Sequence, residues 1–107
     1  MKISDARIES ALDRLERMAG DIAEARAESD FRSDMLRTVY GAEYLQADKA
    51  RAADREAAAL ASPAYREALD TKRAAVAKFE KLRHEKAFLE RLIEVWQTDS
   101  ANNRGRI

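Results

Sequence analysis

The sequence has no cysteine, and in 107 residues it has one proline, three glycines, one histidine and one tryptophan. Without cysteine, disulfides, thiolate nucleophiles and thiolate-bound metals are excluded. So few proline and glycine residues cannot build the many turns of a strand-rich chain, which removes all-β and α/β folds. The longest apolar runs fall far short of the roughly 20 residues a membrane-spanning helix needs. Lysine and arginine balance aspartate and glutamate at 20 each, so bulk charge does not mark a protein that coats DNA or an anionic membrane. Met1-Lys2-Ile3-Ser4-Asp5 leads into charged residues rather than an apolar signal core, and a cytoplasmic location is expected.

What the chain does contain is alanine, leucine and charge at helical spacing, the composition of long helices and coiled coils. Ser4 or Asp5 can cap a first helix. Ile8, Leu12, Leu15, Ala19 and Ile22 then recur at alternating spacings of four and three, a heptad seam facing a partner helix. The seam fails beyond Ile22, where Arg26 and Ser29 take its next positions. Ser29-Asp30-Phe31 reads as a kink or a cap, and Phe31, Met35, Leu36, Val39, Tyr40 and Tyr44 form a second, wider stripe with Gly41 inside it. Residues 46–61 are rich in alanine and charge, with few large side chains, and are expected to be helical and weakly packed.

Ser62-Pro63 is the clearest boundary. Serine at an N-cap and proline at the first helical position start a helix, and the same proline disfavours helix at Ser62. The last helix is expected from Pro63 to about Ser100, roughly 55 Å long at 1.5 Å per residue. Its stripe is Leu69, Val76, Phe79, Leu82, Leu89, Leu92, Ile93 and Trp96, widened by Phe88 and Val95. The residues after Thr98 carry stop signals, leaving 101–107 as a tail. The expected fold is all-α: a single domain of long helices (4–28, 30–61 and 63–100) in a coiled-coil-like antiparallel hairpin bent at Ser62-Pro63. Surplus apolar surface on so small a core points to a homo-oligomer.

Sites for chemistry are scarce. His84 has no second histidine a turn away, and Glu24 with Glu28 and Glu90 with Glu94 lack the Glu-x-x-His motif of di-metal bundles. No phosphate loop or nucleophile elbow is present. No enzymatic activity, cofactor or metal is expected. The basic residues form two rows. Lys49, Arg51 and Arg55 precede the bend; Lys78, Lys81 and Lys86 flank the last stripe among other cations. Either row can contact phosphates through salt-sensitive bonds, or can pair with acids and cover apolar surface as coiled-coil flanking charges. Tyr40, Tyr44, Tyr65 and Trp96 can stack on bases or anchor packing.

The layout resembles the UvsY-like phage recombination mediators. Asp34-Met35-Leu36-Arg37 opens a helix that ends in an alanine- and basic-rich segment; a Ser-Pro-x-Tyr break (Ser62, Pro63, Tyr65) and a long helix with an Asn102-Asn103-Arg104 tail follow. The resemblance covers most of the chain. It implies single-stranded DNA binding, oligomerisation, and loading of a recombinase onto strands coated by single-strand binding protein. It also implies DNA contact from Lys49 and Arg51, in Lys49-Ala50-Arg51. The residue pattern by itself leaves a second reading open: a helical protein–protein interaction module, such as an accessory, assembly or inhibitor protein, that binds no nucleic acid.

Overall fold

A computed structural model describes residues 2–105. Among these residues the elements are three helices and no strand: α1, Asp5–Gln46; α2, Ala52–Ala61; and α3, Pro63–Gly105. α1 and α3 pair antiparallel, so the all-α hairpin with a bend at Ser62-Pro63 is the observed fold. Two compact units divide it. The first joins the chain up to Ala23 with the chain from Glu80 onward; the second is Glu24–Phe79.

Capping explains where the helices start. The Ser4 hydroxyl accepts a hydrogen bond from the Arg7 amide at 3.2 Å, and Ser4 is the cap rather than Asp5. At the second boundary the Ser62 hydroxyl accepts from the Tyr65 amide at 3.1 Å. Ser62 is extended, at φ −66° and ψ 145°, as the following proline requires. Its amide donates to the Ala59 carbonyl, so one residue ends α2 and begins α3.

Within the first unit, Ile3, Ile8, Ala11 and Leu92 form the buried core, and Leu89, Ile93 and Trp96 pack against it. As α1 runs back from Arg14 to Asp5, α3 runs on from Glu85 to Trp96, the register of an antiparallel pair. Trp96 closes the core with its indole N–H donating to the Asp5 carboxylate at 3.2 Å. In the second unit Tyr40 of α1 meets Tyr65 of α3, with ring centroids 6.2 Å apart.

The α1 seam differs from the one that spacing suggested. Leu12 is 52% exposed and Ala19 is exposed, whereas Ala11 and Met18 are buried. The seam follows Ile8, Ala11, Leu15, Met18 and Ile22 in the first unit. It does not fail there: in the second unit Ala25 and Ser29 are buried at the next heptad positions. Ile8, Leu15 and Ile22 belong to both faces, so spacing alone does not choose between Ala11 with Met18 and Leu12 with Ala19.

Four further expectations are corrected. Ser29-Asp30-Phe31 does not cap a second helix, since α1 is continuous through it. The nearby Ser33 hydroxyl donates to the Ser29 carbonyl at 2.9 Å, a bond compatible with the helix. Phe31 and Met35 are exposed, leaving Leu36, Val39, Tyr40 and Tyr44 as the inward part of their stripe, and Phe88 and Val95 are likewise exposed on α3. Residues 46–61 are not one helical stretch: α1 stops at Gln46 and α2 starts at Ala52. Finally, α3 runs through the expected tail to Gly105; Thr98 donates to the Glu94 carbonyl at 3.0 Å and Arg104 to the Ser100 carbonyl at 3.4 Å. Arg106 and Ile107, the end of that tail, lie outside the described residues.

Candidate nucleic-acid interface

The break between α1 and α2 is built from Ala47, Asp48, Lys49, Ala50 and Arg51. The Ala47 amide donates to the Tyr44 carbonyl at 3.4 Å and the Lys49 amide to the Ala47 carbonyl at 2.9 Å, so the last helical turn tightens and opens. Arg51 is the N-cap of α2, extended at φ −92° and ψ 142°. Its carbonyl accepts from the Arg55 amide at 3.0 Å. Lys49 and Arg51 therefore stand exposed where α2 presents the positive end of its dipole.

Arg55 has a different place from its two neighbours. Its Nε donates to the Lys49 carbonyl at 2.7 Å, and its guanidinium lies 6.0 Å from the centroid of Tyr44. Tyr44 in turn is 6.2 Å from Tyr40, which meets Tyr65. Arg55 is half-buried and clamps the break onto a tyrosine cluster. Burial raises the Tyr40 phenol above its usual range, and the nearby negative charge of Glu56 adds to the shift.

The second basic row is distributed over α3. Lys78 belongs to the second unit, roughly 22 Å along α3 from Pro63. It is thus separated from Lys49 and Arg51. Lys81 and Lys86 belong to the first unit; both are exposed, and Lys86 lies 3.7 Å from Glu90. Lys81 sits close enough to Glu85 to favour that carboxylate's ionised form. The structure thus brings Lys49, Arg51 and Arg55 together at one break and leaves Lys78, Lys81 and Lys86 as flanking charges.

The three tyrosines and Trp96 are engaged in packing. Tyr40 pairs with both Tyr44 and Tyr65, and Trp96 is tied to Asp5. His84 is exposed on α3, with Nε2 3.8 Å from Glu80. Sequence reasoning missed Arg14 and Glu85, which form a two-pronged bond between α1 and α3 at 2.8 and 3.1 Å. Their sites flank the seams of both helices, but only the register decides that they meet. The Arg14 hydrogen bond holds Glu85 below the usual carboxylate range, against a smaller opposing effect of burial, and the same bond raises Arg14.

No family model matches the chain, and no curated protein or solved structure was found to be similar to it.

Proposed function

We propose that the chain is a non-enzymatic single-stranded-DNA-binding protein of the recombination-mediator kind, which oligomerises and helps load a recombinase. The observation that carries this reading is the break at residues 47–51. It puts Lys49 and Arg51 in solvent at the N-terminal end of α2, beside Arg55. Exposed cations beside the free amides of a helix N-terminus suit a phosphate backbone. Lys78, Lys81 and Lys86 on α3 are secondary, separate contacts in this reading. Binding of a labelled oligonucleotide, followed by anisotropy from about 50 mM salt upward, tests the reading. Contacts to about three phosphates predict a log–log salt slope near −2. Loss of binding in Lys49→Glu/Arg51→Glu supports it; absence of binding at low salt, or binding indifferent to that double change, overturns it.

A second reading, a protein–protein interaction module, is favoured by one specific feature. On the second unit Phe31 is 51% exposed and Met35 37%, and Met35 edges a groove of about 270 Å³ with Val39, Ala64, Ala68 and Thr71. Arg32 lies over the Phe31 ring at 5.2 Å, which keeps the patch partly polar. Retention of a host protein after nuclease treatment, lost in Phe31→Ser/Met35→Ser, would favour this reading; retention only through nucleic acid would count against it.

A further inference from the structure

The two interruptions of helix in this chain differ in origin. Ser62-Pro63 is encoded locally by a cap and an imino acid. Residues 47–51 (Ala-Asp-Lys-Ala-Arg) contain neither glycine nor proline, and alanine, lysine and arginine are good helix formers. The N-cap of α2 is Arg51, whose side chain makes no capping bond among the described residues. No glycine, proline or side-chain cap marks the break; Asp54 in the first turn of α2 favours a start there through the helix dipole but does not by itself end α1.

A strict heptad frame drawn from the first-unit seam passes through Arg32, Leu36, Val39, Glu43 and Gln46 and, continued, falls on Ala50, Ala53, Ala57 and Leu60. In the observed fold α2 uses another side: Ala59 is buried, Arg55 and Ala58 are half-buried, and Leu60 is left 45% exposed. α2 thus buries a face other than the one this frame marks.

Tertiary contacts hold the break open. Arg55 reaches back to the Lys49 carbonyl and over Tyr44, and Tyr40 meets Tyr65. These contacts are incompatible with a continuous helix. There Tyr44 and Arg55 would stand roughly 16 Å apart along the axis, beyond the reach of side chains that lean toward the N-terminus. Ala61 would stand roughly 36 Å from Arg37, so Tyr65, just past the bend, could not touch Tyr40.

We propose that residues 47–51 are a conditional break: release of the Arg55 clamp lets the segment become helical, joining α1 and α2 and drawing α3 off its present register on α1. The proposal does not depend on nucleic-acid binding and is tested without it. The cysteine-free sequence allows clean spin labelling at Arg37 and Arg66, both exposed and near opposite one another in the second unit. Dipolar spectroscopy of the full chain then reads two classes of distance: short in the hairpin seen here, and about 30 Å or more in the joined form. Arg55→Ala should raise the long-distance population about tenfold, the weight of a charged hydrogen bond, and increase helicity by circular dichroism. Ala52→Pro provides the matched control. Proline fits the first position of α2 after an extended Arg51, yet it cannot sit inside a joined helix. Adding Ala52→Pro to Arg55→Ala should return the distribution to the short distance alone. A single short distance in Arg55→Ala, a long population that survives Ala52→Pro, or a loss of helicity in Arg55→Ala would each overturn the proposal.

Discussion

Met18 and Leu12 lie less than two turns apart on α1, and both are large apolar side chains, yet Met18 is fully buried and Leu12 is half in water. Alternation of threes and fours fits either face, because Ile8, Leu15 and Ile22 belong to both patterns. What separates them is the approach of α3, which favours Ala11 and Met18 over Leu12 and Ala19. Truncation distinguishes the two faces by denaturant unfolding. Met18→Ala should cost about 2 kcal/mol or more, as it removes buried methylenes and leaves a cavity. Leu12→Ala should stay within about 0.5 kcal/mol. The glycines give the opposite sign. Gly41 lies within continuous helix. A Cβ there or at Gly20 would meet nothing within 4 Å among the described residues. Gly41→Ala and Gly20→Ala should each stabilise the chain by up to about 1 kcal/mol, the helix-propensity difference.

At the level of elements, legibility depended on whether a signal was local. The start of α3 was readable because serine, proline and the cap geometry act within one turn, and the Ser62 hydroxyl forms the bond to the Tyr65 amide that the sequence implies. Ser62→Ala should therefore cost about 1 kcal/mol by thermal unfolding, while Ser62→Asp should retain most of the stability. The apolar stripe of α3 was also readable, since Leu89, Leu92, Ile93 and Trp96 are large and regularly spaced. The break at residues 47–51 was not readable, because no glycine, proline or side-chain cap marks it, and the contacts of Arg55 with Lys49 and Tyr44 appear only in the folded chain. The candidate site shared this fate. Lys49, Arg51 and Arg55 were identifiable as a basic row, but their gathering at an open turn, and the engagement of Arg55, were not. The stop signals near Thr98 also failed. The Thr98 and Arg104 side chains bond to carbonyls one turn back within a helix that continues through residues that often end one.

Across the whole molecule, the two units carry separate optical reporters. Trp96, the one tryptophan, belongs to the first unit, and the three tyrosines, Tyr40, Tyr44 and Tyr65, belong to the second. The bond between Arg14 and Glu85 lies in the first unit alone. Because the Arg14 hydrogen bond lowers the Glu85 carboxyl, its contribution is complete above the unfolded carboxylate value near 4.5 and is lost as pH falls through the folded value below it. Both partners are more than a third exposed, at 37% and 36%, so the contribution is screened and should weaken further in salt. Acid titration followed by Trp96 emission should show a transition below about pH 4.5 that moves to lower pH as the bond is strengthened by reduced salt. In Glu85→Gln the salt dependence of the Trp96 transition should shrink, because the amide cannot ionise, while the tyrosine signal of the second unit should titrate as in the parent chain. An unchanged Trp96 transition in Glu85→Gln would mean that the cross-helix bond does not govern the acid response of the first unit, leaving the apolar core around Ile8 and Leu92 as its main support.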